Sequence, residues 1–372
     1  MHSYRNLLPG DPAPWFHQRS SVNPDYAFDS AAGRYLVLCF FMSAANARGR
    51  AALEAALAKG ALFDDQRAAF FGVSVDPADE QQKRVATRLP GYRYFWDRDR
   101  TISKLYGATP TDAEAAGATV PARQIWVVLD PTLRVLKVVP FGDDGSSEEV
   151  FAFLEALPPP ASFAGFEVAA PVLILPNVFE AEFCQRLVAL YEAEGGQDSG
   201  FMRELGGKTM VAHDHGHKRR KDYEIVDPDT IKQAQHRIVR CIVPEILKVH
   251  QFKVTRMERY IVSCYAAEDG GHFAPHRDNT TKGTAHRRFA VSINLNGDFD
   301  GGEVGFPEYG PRGFKPPTGG AVVFSCSLLH AVSKVSRGRR YAFLPFLYDD
   351  AAAKIREANI PFLGDGLGAY RS

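Results

Sequence analysis

The chain has 372 residues, of which 45% are hydrophobic and 24% charged, and its 44 basic residues balance its 44 acidic ones. This composition is typical of a soluble globular protein, and the length predicts two domains. The zero net charge gives no indication of nucleic-acid or membrane binding, and the longest apolar run, residues 35–42, is too short to span a bilayer. Five scattered cysteines do not form a disulfide framework, and no secretion signal is visible, so we expect a reducing, cytoplasmic location.

Strand-like and helix-like segments alternate in the first part of the chain. A buried strand is predicted for the apolar run, an alanine-rich helix follows it, and a late pair of apolar segments is typical of a hairpin. This order predicts a thioredoxin-like α/β layer. The predicted elements are strands at residues 35–41 and 69–75, helices at 51–59, 80–88 and 147–157, and a hairpin of 125–130 with 135–139.

Three consecutive prolines, Pro158 to Pro160, interrupt the pattern. Triple proline fits neither a helix interior nor a central strand, and it forms a stiff, extended connection. We therefore predict a domain boundary here, with one domain at residues 1–160 and the other at residues 166–372.

The second part of the chain begins with helical patterns and continues with strand-like runs. An amphipathic helix is predicted at residues 180–194 and a long one at 229–250. Helices followed by many short strands predict helices packed on a double-stranded β-helix, the jelly-roll form of a closed sandwich. The predicted strands are 257–265, 272–278, 288–295, 303–306, 321–325, 330–335 and 339–347.

The strongest chemical signal is His276-x-Asp278, followed far along the chain by His330. Residues two apart in a strand point to one face, so His276 and Asp278 can reach the same metal, and the third ligand must come from another strand. Two imidazoles and one carboxylate suit iron(II) and leave open positions for a bidentate 2-oxo acid and dioxygen. The far carboxylate of that acid needs a cation, and an arginine fork matches it.

Arg339 and Arg340 both lie at a suitable distance beyond His330, but adjacent strand residues face opposite sides, so only one can point inward. A turn at residues 336–338 would form a hairpin that places the anchoring arginine on the strand next to His330.

Taken together, these motifs resemble the prolyl 4-hydroxylase-like 2-oxoglutarate/iron(II) dioxygenases. The resemblance runs over residues 166–350 and also includes Tyr265, the run 289–296, Gly301-Gly302 and the run 319–324. It implies that His276, Asp278 and His330 bind Fe(II) as the catalytic centre. It also implies that Arg340 pairs with the distal carboxylate of 2-oxoglutarate, to which Tyr265 donates a hydrogen bond. Ascorbate is the expected reductant.

The first part of the chain resembles a peroxiredoxin over residues 5–157, through Gly72 to Asp76, Leu105-Tyr106-Gly107 and Arg123 to Asp130. A peroxiredoxin needs a thiolate at the start of the helix after its first core strand, where the helix N-terminus stabilises it. Residues 41–50 contain no cysteine, and Cys39 sits in the apolar strand as a packing group. We therefore expect a non-catalytic domain that serves substrate recognition, homodimerisation or stabilisation.

Two polar segments have no settled role. The segment His213 to His217 is a second candidate metal site, a loop near the substrate or ordinary solvated surface. The segment Lys218 to Lys221 contacts an acidic substrate, binds nucleic acid or is a solvated run of charges. His272 is expected to pack near the site or to support the iron ligands.

These observations predict a 2-oxoglutarate- and Fe(II)-dependent dioxygenase that hydroxylates an unactivated C–H bond and yields succinate and carbon dioxide. The expected partners are dioxygen and a protein, peptide or small-molecule substrate, without nucleic acid or membrane. Fold and cofactor do not choose the substrate. The alternatives are a scaffold or binding protein that keeps both folds, and a peroxiredoxin-type redox protein.

Overall fold

The computed structural model describes residues 2–112, 121–142 and 147–364. The chain divides into two compact units: Met1–Ala169 with Pro307–Gly310, and Ala170–Phe306 with Pro311–Ser372. The domain limits 1–160 and 166–372 stay a prediction, and their outer ends at residues 1 and 372 lie outside the described residues. Within the described residues, no helix is long and apolar enough to cross a membrane.

The first unit is an α/β layer built on one mixed sheet. Strands β3, β4 and β5 are parallel neighbours, while β6 and β7 add antiparallel strands on the other side, in the order β5-β4-β3-β6-β7. The strands are β1 His17–Gln18, β2 Tyr26–Ala27, β3 Tyr35–Met42, β4 Ala68–Ser74, β5 Tyr92–Trp96, β6 Ile125–Leu129 and β7 Val135–Pro140. The helices are α1 Ala47–Ala58, α2 Pro77–Gln81, α3 Thr101–Leu105 and α4 Ser147–Ala156.

One face of this sheet packs against α1 and α4. Cys39 lies in that core with Ala52, Leu53 and Phe151, and burial raises the pKa of its thiol well above the ordinary value. The thiol is therefore an apolar packing group.

The helix predicted at residues 80–88 is wrong, because the helix there begins earlier and ends sooner. Asp76 caps it by accepting a hydrogen bond from the backbone of Ala78, Pro77 occupies the first turn, and Lys83 has a left-handed φ of 52°. The sequence analysis also missed β5 and α3.

The second unit contains a large sheet and a small sheet. The large sheet follows the order β14-β23-β17-β22-β15-β13-β9, with β20 and β8 added beyond β17, and the small sheet follows β12-β16-β21-β18-β19. The strands begin with β8 Leu173–Leu175, β9 Gln197–Asp198, β10 Phe201–Leu205, β11 Lys208–Ala212, β12 Lys218–Arg219, β13 Lys221–Glu224, β14 Arg256–Glu258 and β15 Ile261–Ala266. They continue with β16 His272–His276, β17 Phe289–Asn294, β18 Val304–Gly305, β19 Gly313–Phe314, β20 Ala321–Ser325, β21 His330–Val332, β22 Arg339–Phe343 and β23 Phe346–Tyr348. Together these sheets form the predicted jelly roll.

Helices cover the outer face of the large sheet. They are α5 Ala181–Glu194, α6 Pro228–Cys241 and α7 Val243–His250, whereas α8 Asp350–Asn359 follows β23, and its Arg356 lies near Glu258 and Tyr348. The core they share with the sheet includes Val262, Cys264, Val291, Ile293, Tyr341 and Phe343. Alternate strand residues point to opposite faces, so the inner face carries the residues between them. These are polar and buried: Ser263, Tyr265, Ser292, Asn294 and Arg340.

Several long predicted elements are interrupted. The helix predicted at 229–250 is two helices, because Pro244 lacks an N–H and lies in the first turn of α7. The strand predicted at 257–265 breaks at Arg259, whose φ is 70°. The strand predicted at 339–347 is β22 and β23, which run past the same side of β17 with Pro345 between them.

The hairpin predicted between His330 and Arg340 is also wrong. His330 begins β21 in the small sheet, whereas Arg340 lies on β22 in the large sheet. The connection at residues 333–338 therefore passes from one sheet to the other, and the two residues face each other's sheet across the sandwich.

Glu258, on β14, is fully buried and holds together separate parts of the second unit. Its carboxylate accepts hydrogen bonds from the His286 ring and from Arg287, both at 2.9 Å, and Arg356 of α8 lies 3.5 Å away. Burial alone would raise the pKa of Glu258, but Arg287 and His286 lower it to about 2. A charge in such a place is strongly destabilising when its partners are lost.

Glu258→Gln should therefore lower the free energy of unfolding of the second unit by about 3–5 kcal/mol at neutral pH. Because the folded-state pKa lies below the ordinary value, the stabilisation is present above about pH 4.5 and is lost as the pH falls toward 2. The variant should lose less stability than the wild type between about pH 5 and about pH 3. Urea unfolding followed by far-UV circular dichroism measures both effects.

Two references sharpen this measurement. Glu245→Gln removes an exposed pair with Lys248 and should cost less than about 1 kcal/mol. All three tryptophans, Trp15, Trp96 and Trp126, belong to the first unit, so their fluorescence is an internal reference for that unit. Equal stability of the two glutamate variants would contradict the role of Glu258.

Candidate metal centre

The predicted metal ligands lie at or just beyond the neighbouring ends of β16 and β21. His276 is the last residue of β16, and its Cα pairs with that of His330 at the start of β21. The strand was expected to run to Asp278, but it ends at His276 after a bulge that shifts the register. Asp278 is held instead by the turn that follows, where its backbone N–H donates to Cys326 O at 3.0 Å.

The three side chains converge on one point. His276 Nε2 lies 3.6 Å from one oxygen of Asp278, and His330 Nε2 lies 3.3 Å from the other. The two imidazole rings are 4.2 Å apart between centroids. Phe273 stacks on the His276 ring at 3.5 Å, and Phe324 packs on that of His330 at 4.6 Å. Aromatic rings therefore fix the direction of both imidazoles.

Backbone carbonyl groups orient the same two rings from the far side. His276 Nδ1 lies 2.8 Å from Ala274 O, and His330 Nδ1 lies 3.0 Å from Leu328 O. Each Nδ1 therefore carries the proton and donates it, which leaves the Nε2 lone pair directed at the centre. This is the tautomer that a metal ion needs.

The electrostatics also favour a cation. Burial and then the nearby His330 lower the pKa of His276 to about 4, so this ring is neutral at physiological pH. Burial alone would raise the pKa of Asp278, but His330 and His276 hold it well below its ordinary value. A neutral nitrogen ligand and an ionised carboxylate are the protonation states required for metal binding.

In the described part of the chain, His276, Asp278 and His330 are the one group of three His, Cys, Asp or Glu residues whose potential ligand atoms all lie within 4.8 Å of one another. Two imidazoles, one carboxylate and open positions fit Fe(II) among the biological metals. The rival histidines, His213 and His215, instead lie 3.4 and 3.7 Å from the carboxylate of Asp198 on an exposed surface.

Arg340 and Tyr265 are direct neighbours on β22 and β15, with paired Cα atoms. Each is 1% exposed, and the Arg340 guanidinium carbon lies 5.3 Å from the centre of the Tyr265 ring. The alternation sends Arg340 inward, whereas Arg339 is exposed and pairs with Glu268. Of the two arginines, Arg340 is thus the one available to an interior ligand.

The hydrogen bonds of Arg340 are incomplete. Its Nε donates to Asn294 Oδ1 at 3.0 Å and its Nη2 donates to Ser292 Oγ at 2.7 Å. Its buried Nη1 has no hydrogen-bond partner among the described residues. Burial lowers the pKa of Arg340, Tyr265 partly offsets this, and Arg220 adds to it. A buried guanidinium that contacts only neutral acceptors, with a donor unused, fits a carboxylate ligand.

The run Lys218 to Lys221 is not a uniformly solvated surface. Lys218 and Arg220 are each 6% exposed, whereas Arg219 and Lys221 point to solvent. The Lys218 ammonium donates to Ser199 Oγ at 2.8 Å and lies 4.9 Å from the centre of the Phe273 ring. The sequence analysis did not assign these two buried cations to the site. Strand alternation through the run is the signal that would have indicated them.

The histidines near the centre occupy different places. The His272 ring nitrogens lie 2.8 Å from Gly270 O and 3.2 Å from Gly216 O, so this residue fastens two loops. His217 lies between the rings of Phe201 and Phe273, 6.4 Å from His276 between ring centroids.

In the first unit, the start of α1 is closed to a thiolate. Asn46 caps this helix, and its side chain accepts hydrogen bonds from the backbone N–H groups of Arg48 and Gly49. A Cβ added at Gly49 would lie 2.5 Å from Ser43 O and 2.8 Å from Phe41 O. The helix N–H groups are therefore already used, and a side chain does not fit.

Two carboxylates that share one cation, Arg84, lie beside this helix start. Asp76 accepts from Ser43 Oγ at 2.7 Å, and the buried Asp79 accepts from the backbone of Ala44 at 3.0 Å. Arg123 stacks on the Tyr4 ring, 3.7 Å from its centre. Neighbouring carboxylates disfavour a cysteine thiolate at the start of α1, because like charges repel.

Comparison with known proteins shows what each half of the chain is similar to. Residues 248–348 match the family model of the 2OG-Fe(II) oxygenase superfamily, and residues 9–135 match that of the AhpC/TSA family. The predicted resemblance of the second half to the 2-oxoglutarate/iron(II) dioxygenases and of the first half to the peroxiredoxins is thereby confirmed, as is the two-domain fold class.

Individual relatives cover only parts of the chain. PKHD-type hydroxylases of Synechococcus sp. (strain JA-3-3Ab) and Pseudomonas fluorescens are 32% and 37% identical over 89 and 91 residues. Each alignment covers 22% of this chain and 39% of the relative, so the chain spans about two fifths of the length of these curated proteins.

Solved structures similar to the two halves are more distant in sequence. A prolyl hydroxylase of Trichoplax adhaerens, in complex with a hypoxia inducible factor peptide fragment, has a TM-score of 0.40 and 18% identity, covering 50% of this chain and 86% of its own. Peroxidoxin BcpB of Mycobacterium tuberculosis has a TM-score of 0.36 and 21% identity, covering 41% and 99%.

Gly49→Cys should not produce a thiol peroxidase. The new Cβ overlaps two carbonyl oxygens, so the variant should be less stable than the wild type and should consume no peroxide with dithiothreitol as reductant. Thermal unfolding by tryptophan fluorescence measures the first effect.

Arg50→Cys is the matched control, since it places a thiol on the exposed side of the same helical turn. It should fold normally and should also be inactive. Thiol-dependent peroxide consumption by the Gly49 variant would show that the site is still competent.

Proposed function

We propose that this protein is a 2-oxoglutarate- and Fe(II)-dependent dioxygenase that hydroxylates an unactivated C–H bond. The observation that carries the proposal is the convergence of His276, Asp278 and His330, together with Arg340 Nη1 on the opposite sheet, which has no hydrogen-bond partner in the part of the chain that the structure describes. The match of residues 248–348 to the oxygenase superfamily supports it.

In this proposal, His276, Asp278 and His330 hold Fe(II) through Nε2, a carboxylate oxygen and Nε2. When bound, Fe(II) would supply, with 2-oxoglutarate and dioxygen, the oxidative decarboxylation of the 2-oxo acid to succinate and carbon dioxide coupled to hydroxylation of the substrate, one oxygen atom of dioxygen entering each product. The protein fixes the three ligands through the Ala274 and Leu328 carbonyl groups and the stacked Phe273, so the metal meets a prearranged site.

Arg340 and Tyr265 would bind the distal carboxylate of 2-oxoglutarate. Arg340 offers Nη1, and the phenol offers its O–H, inside a region from which both side chains exclude water. A charge-assisted pair is stronger in such a place than at a surface. Ser292 and Asn294 keep the guanidinium in one orientation.

The proposed substrate is a protein or peptide residue, as in prolyl hydroxylation, or a small molecule. The five cysteines, all free in the described part of the chain, support a reducing, cytoplasmic setting in which ascorbate keeps the iron reduced. The first unit serves recognition, homodimerisation or stabilisation, because its helix start holds no nucleophile.

Anaerobic titration with Fe(II) and 2-oxoglutarate tests the proposal. The wild type should develop a visible metal-to-ligand charge-transfer band and should release succinate once oxygen and a substrate are admitted. His276→Ala removes one ligand and should abolish both signals. A wild type without the band would refute the dioxygenase and leave a binding protein as the better description.

Arg340→Met tests the anchor separately from the metal. It removes the charge that a distal carboxylate would meet, so the concentration of 2-oxoglutarate at half-saturation of the band should rise about 100-fold. Fe(II) affinity should stay unchanged, since the side chain lies on the other sheet.

Arg339→Met provides the matched control for Arg340. It removes the same charge one residue earlier, on the exposed side of β22, where the guanidinium pairs with Glu268. Its 2-oxoglutarate affinity should be that of the wild type within about twofold. Equal losses in the two variants would mean that Arg340 acts through general charge and not as an anchor.

A further inference from the structure

A row of three side chains crosses the inner face of the large sheet. Tyr265 pairs with Arg340 on β22, and on its other side Cys264 pairs with Lys221 of β13. That register places Arg220 beside Tyr265, on the side opposite Arg340. The two guanidinium carbons lie 5.7 and 5.3 Å from the centre of the Tyr265 ring.

The two arginines differ in how their charge is compensated. Arg220 Nη2 donates to Asp222 Oδ2 at 2.6 Å and to Ser199 Oγ at 3.1 Å, so a carboxylate already neutralises it. Among the residues that the structure describes, Arg340 donates hydrogen bonds only to the neutral Asn294 and Ser292. An incoming dianion is therefore attracted chiefly by Arg340, and Arg220 needs another role to explain its burial.

That role follows from the bond between Arg220 and Tyr265. Arg220 Nη1 donates to the Tyr265 hydroxyl oxygen at 3.3 Å. A phenol has one hydrogen to donate, and a guanidinium can only donate. Because the Tyr265 oxygen accepts the hydrogen bond from Arg220, the hydroxyl hydrogen must point away from Arg220. A carboxylate bound next to Arg340 Nη1 would offer that hydrogen an acceptor.

We propose that Arg220 is a positioning residue for the co-substrate: it fixes the Tyr265 hydroxyl as a donor toward the distal carboxylate of 2-oxoglutarate. This inference rests on the proposed function and adds a residue to it. Asp222 belongs to the same device, since it holds Arg220 and also accepts from Ser263 Oγ at 2.6 Å. Arg220 thus acts through Tyr265 without touching the ligand.

A double-mutant cycle distinguishes action through Tyr265 from direct contact. Arg220→Met and Tyr265→Phe are each measured by anaerobic Fe(II)/2-oxoglutarate titration of the charge-transfer band, which reports binding without turnover. Each single variant should weaken 2-oxoglutarate binding about tenfold. The double variant should also weaken it about tenfold, because each change abolishes the same hydrogen bond, the one from the Tyr265 hydroxyl to the distal carboxylate.

The loss should depend on the distal carboxylate. 2-Oxopentanoate carries the same metal-chelating group but ends in a methyl group, so its affinity should be equal in the wild type and Arg220→Met. A general distortion of the pocket would weaken both compounds together. In turnover, the KM for 2-oxoglutarate should rise about tenfold with kcat little changed.

Removing Arg220 leaves Asp222 buried without its partner, which threatens folding. The cycle therefore also includes Arg220→Met combined with Asp222→Asn, in which neither charge remains, and thermal unfolding is recorded for every variant. Arg219→Met, one residue away on the exposed face, is the matched control and should bind 2-oxoglutarate like the wild type.

The outcomes separate the two proposals. If the wild type binds 2-oxoglutarate and the losses multiply to about 100-fold in the double variant, Arg220 contacts the ligand directly or acts by charge, and the positioning role is overturned. An unchanged affinity in Arg220→Met overturns it as well. If the wild type shows no 2-oxoglutarate binding, the proposed function fails and this inference fails with it.

Discussion

The constraint that shapes the inner face of the second unit is a buried guanidinium whose Nη1 has no hydrogen-bond partner within the described ranges. Arg340 is carried inward by the alternation of β22, between strands whose other faces pack on helices. The inner face must therefore be polar, and Ser292 and Asn294 meet that requirement. Arg340 thus places a positive charge on the inner face of the large sheet, while the three metal ligands lie at the end of β16, in the turn after it and at the start of β21.

The fold was largely predictable because both halves have clear periodicity. Apolar runs such as β3 and alternating runs such as β15 and β17 indicate strands at the positions where they occur. Errors arose where one residue overrides the pattern. Pro244 divides a helix, Arg259 turns a strand with a positive φ, and Pro345 bends another. The spacing of hydrophobic residues does not reveal such single-residue effects, although a proline in the sequence can indicate where a helix or strand ends.

The site was predictable to a different degree. The spacing of His276, Asp278 and His330 indicated ligands for one metal, and the geometry brings them together, although by a strand end and a turn instead of a continuous strand. The partnership of Arg220 with Tyr265 was not visible. It depends on which strands are neighbours in the sheet, and residues 45 apart in sequence give no local sign of pairing.

The segment from Lys218 to Glu224 has a consequence for ligand size. Its first residues pair with β16 in the small sheet and its last residues pair with β15 in the large sheet, with Arg220 between them. One short peptide therefore ties the sheet that carries the two metal-binding histidines to the sheet that carries Arg340. If a 2-oxo diacid bridges the metal ligands and Arg340, this connection limits how far the two sheets can move apart or together. A diacid one carbon shorter or longer would then fit poorly, so the backbone would select the length of the co-substrate.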